Sequence, residues 1–437
     1  LSDDGNDITL VDYDKEVLTA LKEEIDIKTI HGLASYPSVQ KLADAENSDM
    51  VIAVTGSDEV NMAACHIAKS LFNVPKRIAR LRANEYLRDE DKFDKAFFSI
   101  SEVISPNILL TDYVKNILDH PGAFQAFEFA SGLVQVVAAT VLPDGPLSGK
   151  KLSEFKNHMP NVDVKVVAIY RNNKNIIPNG DTVILPDDDV FFLATEENMR
   201  FMSELRKAAD KPHNVMIAGG GRVGSALAKK LENIYDLKLI EKDKHIARIA
   251  SQNLSSTVVL NNDIADESLL NNENISEVDY FCAVTNNDQM NILSAKLAKD
   301  MGAKKTIAIV NKSSYRNLVS KEIDIVVSPE DVTIGSLLAS VRTSDIVNVH
   351  RLRAGEAEAM EIIVNGDSKT SKLVGKKISE LALPESIVIG ALVRGKDVLL
   401  ANDDLVVETN DHVIIFVLQK KDISKIEKMF QVSVGFF

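Results

Sequence analysis

The stretch that decides the fold is HNVMIAGGGRVGSALAKKLENIYDLKLIEKD, residues His213–Asp243. Its opening, NVMIA at Asn214–Ala218, is a short uninterrupted apolar run, which is typical of a buried strand. Gly219, Gly221 and Gly224 follow at G-x-G-x-x-G spacing, and SALAKKLE then has the composition of a helix. Glycines at this spacing permit a tight turn, close approach to a pyrophosphate and close packing of helix on strand. The pattern predicts a strand–turn–helix unit that binds a nucleotide phosphate.

A second predicted strand, LKLIE, ends at Glu241, about 20 residues farther on. An acid at that position accepts hydrogen bonds from the ribose hydroxyls and repels a 2′-phosphate. NAD or NADH is therefore predicted rather than NADP, although ATP and ADP carry the same ribose diol and Glu241 does not separate them from NAD. The phosphate would lie over the helix N-terminus, where free N–H groups and the helix dipole favour an anion. A packing turn in some other α/β unit is the alternative interpretation of the glycines.

Composition places the chain among ordinary globular proteins and excludes several classes. Its 437 residues exceed what one core usually holds, so roughly two to four domains are expected. The net charge of −14 argues against a nucleic-acid partner. Cys65 and Cys282 are the only cysteines and no metal-ligand spacing is present, so we expect no metal site and a reducing, cytoplasmic setting. No apolar run approaches the ~20 residues of a membrane helix, so we expect no membrane span.

The chain contains one larger unit twice. ITLVDYDKEVLTAL at Ile8–Leu21 matches LKLIEKDKHIARIA at Leu237–Ala250, which places Asp12 on Glu241, 229 positions apart. The pairs AVTGSDEVNMAA and AVTNNDQMNILS, VISPNILL and VVSPEDVT, and LSGKKLSEF and LVGKKISEL follow in the same order. Near the end of each copy, three charged residues match at a spacing of 223 positions: Arg171, Asp181 and Asp188 with Arg394, Asp404 and Asp411. Ordered matches at a nearly constant spacing indicate a tandem duplication.

Each copy is predicted to have two parts. The front part alternates strand runs with helical patterns, which predicts an α/β fold with a Rossmann-like, doubly wound parallel sheet. The rear part has short strands, turn signals such as NNK, PNG and PDDD, and a helical KLSEFKNH segment at Lys151–His158, which predicts a small α+β module. Long amphipathic helices, SPNILLTDYVKNILDH and EDVTIGSLLASVRTSD, are expected between the parts. The predicted domains are residues 1–118, 119–207, 212–335 and 345–432.

The sequence resembles a known family over essentially the whole chain. The resemblance is carried by AVTGSDEVNMAAC with AKSLFNVPKRIARLR, GGGRVGSALAKKLE with LKLIEKD, AVTNNDQMNILSAKLAKDMGAKK, SDIVNVHRLRAGEAEAMEIIV and VIGALVRGKDVLLANDD. These stretches are similar to the regulatory subunits of Trk-type bacterial potassium uptake, which are built from two tandem RCK (KTN) units. The resemblance implies a cytoplasmic, peripheral membrane protein that forms a homo-oligomeric gating ring, often a tetramer, under an integral membrane potassium-translocating subunit of the TrkH type. It also implies that NAD(H) and ATP or ADP bind the front domains and bias the gate.

The resemblance places nucleotide contacts in both copies. In the second copy they are Gly219, Gly220, Gly221, Arg222, Val223 and Gly224, with Glu241, Asp263, Thr285 and Asn286. In the first copy the matching contacts are Asp12, Thr55, Gly56 and Arg80. An arginine suits a phosphate because its guanidinium can donate to two oxygens. Strand-end capping by Thr55 and Thr285, and a solvated surface role for Arg80, are the alternatives that remain open.

The first copy departs from the pattern. The printed chain begins at the approach to its second strand, so the counterparts of the opening strand, the glycine loop and most of the first helix are not in the sequence. Whether the first copy binds a nucleotide is therefore left open, because the acid Asp12 would have no phosphate loop beside it. In the second copy, NND at Asn261–Asp263 stands where the family often has Gly-Asp, a departure that bears on the fit of the adenosine.

An NAD-dependent oxidoreductase is the alternative function. Such an enzyme needs an acid or base, usually histidine or lysine, facing the nicotinamide. The sequence has no nucleophile elbow, no paired His-x-x-x-His and no Walker lysine, so no catalytic residue is predicted and a non-enzymatic sensor is expected. The acidic PDDDV at Pro186–Val190 is interpreted as a solvated hairpin turn rather than a cation site.

Overall fold

The computed structural model describes residues 6–87, 98–145, 147–154, 162–172, 174–199, 213–319, 322–342 and 345–432. The chain divides into two compact units, Leu1–Asn107 and Ile108–Phe437. The finer domain boundaries inferred from the sequence stay predictions.

The first unit contains two small parallel sheets and the helices that connect their strands. Its elements are β1 (Thr9–Asp12), α1 (Lys15–Glu24), β2 (Lys28–His31), α2 (Pro37–Leu42), β3 (Met50–Ala53), α3 (Asp58–Phe72), β4 (Lys76–Arg80) and β5 (Glu102–Ile104). Strand β1 pairs with β2 in one sheet, and β4 lies between β3 and β5 in the other, all in parallel. Parallel strands need a crossover connection, and α1 provides it between β1 and β2, as α3 does between β3 and β4.

Helix α4 (Pro106–Asp119) leads into an antiparallel sheet in the second unit. The strands are β6 (Gln125–Phe129), β7 (Val134–Thr140), β8 (Val164–Arg171), β9 (Lys174–Ile176) and β10 (Asp189–Ala194). Their order in the sheet is β6-β7-β10-β8-β9. Of the predicted helix at Lys151–His158, the structure describes a 3-10 turn at Leu152–Glu154, and residues 155–158 lie outside the described residues.

A six-stranded parallel sheet follows in the second copy. Its elements are β11 (Asn214–Ala218), α5 (Arg222–Leu231), β12 (Asp236–Ile240), α6 (Lys244–Asn253), β13 (Val258–Leu260), α7 (Glu267–Asn272), β14 (Tyr280–Ala283), α8 (Asp288–Asp300), β15 (Lys305–Ile309), α9 (Ser313–Val319) and β16 (Ile325–Val327). In the strand order β13-β12-β11-β14-β15-β16, the chain builds the sheet outward from β11 first on one side and then on the other. The predicted doubly wound, Rossmann-like fold is therefore confirmed. In the sequence alignment of the two copies, β1 and β2 correspond to β12 and β13 on one side of β11. Strands β3–β5 correspond to β14–β16 on the other side.

The helices of both copies begin at matching polar caps. Asp14 accepts hydrogen bonds from two N–H groups in the first turn of α1, and Asp243 does the same for α6. The Ser57 hydroxyl caps α3, and the Asn287 side chain caps α8. These side chains satisfy N–H groups that have no acceptor within the helix, which explains why each helix begins where it does.

The chain ends with a second antiparallel module. Its elements are α10 (Pro329–Val341), β17 (Ile346–Leu352), β18 (Ala357–Ile363), β19 (Ile387–Arg394), β20 (Asp397–Leu400), β21 (His412–Val417) and α11 (Ile423–Phe430). The strand order β17-β18-β21-β19-β20 repeats that of the first module, strand for strand. The duplication inferred from the sequence is therefore visible in the sheet topology.

Each antiparallel module encloses a matching ion pair. Arg171 donates to both carboxylate oxygens of Asp188 at 2.7 Å, and Arg394 donates to Asp411 at 2.8 and 2.9 Å. Both aspartates are fully buried. The prediction of a solvated turn at Pro186–Val190 is therefore wrong for Asp188, because the guanidinium compensates for the loss of water around the carboxylate.

The two modules pack face to face through one apolar core. Phe129, Val134 and Phe191 of the first module pack with Ile414 and Phe416 of the second. Polar contacts cross the same interface. They are the Ala130 N–H to Glu361 at 3.0 Å, Arg353 to Asp189 at 2.5 Å, and the Lys165 ammonium to the Ile389 and Ala401 carbonyls at 3.0 and 2.6 Å.

Helix α4 covers one face of the parallel sheet of the second copy. Leu110, Val114 and Ile117 of α4 lie in one core with Val215 and Ile217 of β11. The helix that leads into the first antiparallel module is thus packed against the strand that carries the glycine turn.

Candidate functional site

The glycine turn joins β11 to α5 and needs glycine at two of its positions. Gly219 has a φ of +113°, where a side chain is strained, and a Cβ there would lie 2.8 Å from Cγ2 of Thr285. A Cβ on Gly224 would lie 1.8 Å from the Gly219 carbonyl oxygen. The first glycine therefore permits the turn, and the third lets the helix approach it closely, as the spacing predicts.

Gly221 is open where the other glycines are crowded. It is the residue before the first turn of α5, with φ −64° and ψ −167°, and no heavy atom lies within 4 Å of a Cβ built on it. Arg222 and Val223 form the start of the helix, where backbone N–H groups have no helical acceptor. The turn therefore offers a cradle that a side chain would fill and an anion can occupy.

Glu241 follows β12 and lies against the glycine turn. Its two carboxylate oxygens accept hydrogen bonds from the N–H groups of Gly220 and Asp243, each at 2.7 Å. A Cβ on Gly220 would lie 3.0 Å from the Glu241 side chain, so the small residue permits this contact. The predicted ribose acid and the predicted phosphate loop are thus brought together.

Asp263 follows β13 and forms an ion pair with Lys242. The Lys242 ammonium donates to Asp263 Oδ2 at 2.7 Å, and the Ala265 N–H donates to Oδ1 at 3.1 Å. Hydrogen bonds from Lys242 and Ala265 lower the pKa of Asp263, and the same carboxylate raises the pKa of Lys242. Asp263 therefore lies at the carboxyl edge of the sheet, as predicted, and it carries a lysine partner that the sequence did not point to.

Thr285 follows β14 and is held by a buried amide. The Thr285 N–H and hydroxyl both donate to Asn291 Oδ1, at 2.9 and 2.6 Å. The Asn291 amide in turn donates to the carbonyls of Thr285 and Ile309, each at 2.9 Å, which ties the ends of β14 and β15 together. The strand-end capping interpretation of Thr285 is therefore supported, while Asn286 lies exposed beside it.

The first copy repeats this arrangement and adds an arginine. Thr55 donates to Asn61 through its N–H at 2.8 Å and its hydroxyl at 2.7 Å, and the Asn61 amide donates to the Arg80 carbonyl at 2.8 Å. Neither Asn61 nor Asn291 was predicted from the sequence as part of the site, although each stands six residues after a matching threonine. Both are fully buried and position the strand ends.

Arg80 contacts Thr55 directly. Its Nη2 donates to the Thr55 carbonyl at 3.0 Å, and its Nε is buried without an acceptor among the described residues. Burial, and then Arg82, lower the pKa of Arg80, and Asp58 opposes them. A bound anion would stabilise the charged guanidinium in this position, because charge-assisted hydrogen bonds are among the strongest that proteins form.

The remaining predicted residues of the first copy lie at strand ends of the first unit. Asp12 ends β1, in the other small sheet, and accepts a hydrogen bond from the Asp14 N–H at 2.9 Å, as Glu241 does from Asp243. Gly56 is exposed after β3, and no heavy atom lies within 4 Å of a Cβ built on it.

Two further observations concern the described part of the chain. No group of three or more His, Cys, Asp or Glu side chains there is placed to hold a metal ion. Within the same residues, no helix combines the length and apolarity that crossing a lipid bilayer requires.

Comparison with known families and proteins agrees with this architecture. The TrkA-N domain model matches residues 1–106 and 215–329, and the TrkA-C domain model matches residues 136–206 and 368–431. The chain is 48% identical over 439 residues to the Trk system potassium uptake protein TrkA of Halomonas elongata, covering 100% of this chain and 96% of that protein. It is 44% identical over 436 residues to the protein of the same name from Vibrio alginolyticus, covering 99% and 95%.

Solved structures share the fold at low sequence identity. The crystal structure of the GsuK RCK domain superposes with a TM-score of 0.60 at 17% identity, covering 98% of this chain and 91% of that one. The GsuK channel bound to NAD gives a TM-score of 0.60 at 17% identity, with coverages of 98% and 75%. Taken with the two tandem domain models and the full-length relatives, these findings show that the chain belongs to the family of Trk-system potassium uptake proteins TrkA, with an RCK-type fold.

Proposed function

We propose that this chain is the nucleotide-sensing regulatory subunit of a Trk-type potassium uptake system. It binds NAD or NADH, and also ATP or ADP, and thereby controls a membrane subunit that carries potassium. The observation that carries the proposal is the open glycine turn at Gly221 with the Glu241 carboxylate hydrogen-bonded to the same turn at 2.7 Å. An anion cradle and a ribose acceptor side by side are what a dinucleotide requires.

The residues of the second copy take separate parts in binding. The N–H groups at Gly221, Arg222 and Val223 would receive the diphosphate, and Gly219 and Gly224 allow the backbone to come close enough. Glu241 would accept from the ribose hydroxyls. Thr285 and Asn286 would border the crevice at the carboxyl ends of the parallel strands, where ligands bind in doubly wound sheets.

In the first copy the proposed contacts are Asp12, Thr55, Gly56 and Arg80. Arg80 supports a phosphate contact there, because its guanidinium is partly buried and its Nε lacks an acceptor among the described residues. Gly56 leaves open space beside Thr55, as Gly221 does in the second copy. A nucleotide phosphate in this space would supply the missing acceptor.

Binding controls a distant gate only if the nucleotide prefers one conformation of the protein over another. The strand that carries the glycine turn, β11, shares a core with Leu110 and Val114 of α4. Helix α4 continues into β6 of the first antiparallel module, and the two modules pack on each other. A shift of the turn on binding would therefore reach the modules through packed side chains.

The relatives are named as potassium uptake proteins, and we extend that role to this chain. In the proposed assembly, copies of the chain form a ring, as a tetramer, on the cytoplasmic face of the membrane. The ring binds a TrkH-type membrane subunit, and its shape sets the open fraction of the pore. No bond is made or broken in the nucleotide.

Calorimetric titration of the chain with NADH and with ATP tests the binding step. Glu241→Ala is expected to weaken binding at the second copy by at least tenfold, since a lost hydrogen bond to a charged group is worth about 1.5–3 kcal/mol. Asp236→Asn is the matched control, because Asp236 is an exposed acid at the opposite end of the same strand. Unchanged affinity in Glu241→Ala would argue against the assigned site.

The regulatory step requires the membrane partner. Co-purification with a Trk-type membrane subunit, followed by potassium flux in vesicles with and without each nucleotide, is expected to show nucleotide-dependent flux. Absorbance at the nicotinamide band serves as the test of the oxidoreductase alternative. Steady oxidation of NADH with a small carbonyl substrate would favour the enzyme, and saturable binding without turnover would favour the sensor.

A further inference from the structure

The residue after the ribose acid in the second copy is a lysine held by a second acid. Lys242 directly follows Glu241, and its ammonium lies 2.7 Å from Asp263 Oδ2. The Lys242 side chain is 76% exposed and that of Asp263 is 36% exposed, so solvent ions and ligands can reach both. A cation next to the ribose acid is the feature that accepts a 2′-phosphate in nucleotide folds that take NADP. Here that cation already has a carboxylate partner.

The local structure holds this pair in place. Asn261 donates to the carbonyls of Glu241 and Lys242 at 2.9 and 3.0 Å, which joins the ends of β12 and β13. The Ala265 N–H donates to the other oxygen of Asp263 at 3.1 Å and so orients the carboxylate. Because the Ala265 N–H holds Oδ1 of Asp263, the carboxylate is oriented with Oδ2 toward the Lys242 ammonium.

We propose that Asp263 is a specificity-determining residue that engages Lys242 and thereby excludes 2′-phosphorylated nucleotides from the second copy. This inference rests on the proposed nucleotide binding at that site. A 2′-phosphate there meets two carboxylates, Glu241 and Asp263, and must displace Asp263 from Lys242 before it gains a cation. A free 2′-hydroxyl meets neither obstacle and donates to Glu241.

The first copy lacks this pair, so the two copies are expected to differ in selectivity. Tyr13 follows Asp12 as Lys242 follows Glu241, and Leu33 matches Asp263 in the turn after β2. Both side chains are exposed, Tyr13 by 72% and Leu33 by 38%. The exclusion by Asp263 is therefore confined to the second copy.

The test measures the affinities of the full chain for NADH and NADPH by calorimetry. Four chains are compared: the unaltered chain, Asp263→Asn, Lys242→Met and the double variant. All four share the same first copy, so a difference in affinity between the chains reports on the second copy. The Asp263→Asn chain is expected to fold, because exposed ion pairs add little stability.

Asp263→Asn is expected to lower the ratio of the NADPH to the NADH dissociation constant about tenfold, or about 1.4 kcal/mol. The gain should vanish in the double variant, because it requires the lysine. NADH binding with an unchanged ratio in Asp263→Asn, or a gain that survives in the double variant, overturns the inference alone. Absence of nucleotide binding by the unaltered chain overturns the proposed function and this inference with it.

Discussion

A methyl group added at Gly224 is expected to damage the fold, whereas one added at Gly221 should damage binding. The Cβ of Gly224→Ala would lie 1.8 Å from the Gly219 carbonyl oxygen, about 1.5 Å inside ordinary contact. The obstacle is backbone, so the turn and α5 must separate. Overpacking of a dense core costs about 1–3 kcal/mol, and we expect the upper end here, because no side chain can rotate away.

The same methyl at Gly221 meets no heavy atom within 4 Å, and the backbone there has a φ of −64°, which any residue adopts. Gly221→Ala should therefore change the free energy of unfolding by no more than about 1 kcal/mol, the difference between glycine and alanine as an N-cap. It should nevertheless weaken NADH binding at least tenfold, because the methyl occupies the space proposed for the diphosphate.

Thermal unfolding and calorimetric titration of both variants separate the two effects. Gly224→Ala should lower the unfolding midpoint of the second unit by roughly 6–12 °C, from about 3 kcal/mol at about 2–4 °C per kcal/mol. Gly221→Ala should melt near the unaltered chain and bind NADH at least tenfold more weakly. A Gly224→Ala chain that melts like the unaltered one would refute the packing argument, and a Gly221→Ala chain that binds NADH normally would refute the cradle.

Three further predictions concern groups that hold the fold. Asn291→Ala should cost about 3 kcal/mol in urea unfolding, because the Thr285 N–H, the Thr285 carbonyl and the buried Ile309 carbonyl all lose their side-chain partner. Asp411→Ala should cost about 3 kcal/mol, because Arg394 Nε and Nη2 and the Glu408 N–H lose the buried carboxylate that accepts from them, whereas Lys377→Ala, which removes an exposed ion pair, should cost less than about 0.5 kcal/mol. Burial lowers the pKa of His350 from 6.5 to about 4, so protons favour the unfolded chain between those values and stability should fall by up to about 3 kcal/mol as the pH drops through that window. His350→Phe should remove that part of the acid loss in urea titrations, and an unchanged pH profile would contradict the assignment.

The sequence by itself determined the parts of the site that are close together along the chain. The G-x-G-x-x-G spacing, the preceding apolar run and the terminal Glu241 lie within about 30 residues, and each reports a local backbone requirement. The structure meets these requirements at Gly219, Gly224 and Glu241. The sequence alone also shows the duplication, because matching residues such as Arg171 and Arg394 keep the same spacing along the chain however the two copies pack.

Only the tertiary structure decided which groups meet across the chain. An amphipathic helix such as α4 shows that it has an apolar face, but its sequence does not name the sheet that the face covers. For the same reason, the pairing of Lys242 with Asp263 and the burial of Asp188 and Asn291 were not visible in the sequence. Whether a polar side chain is buried or solvated depends on partners that lie far away along the chain, and the local sequence pattern does not show which residues those partners are.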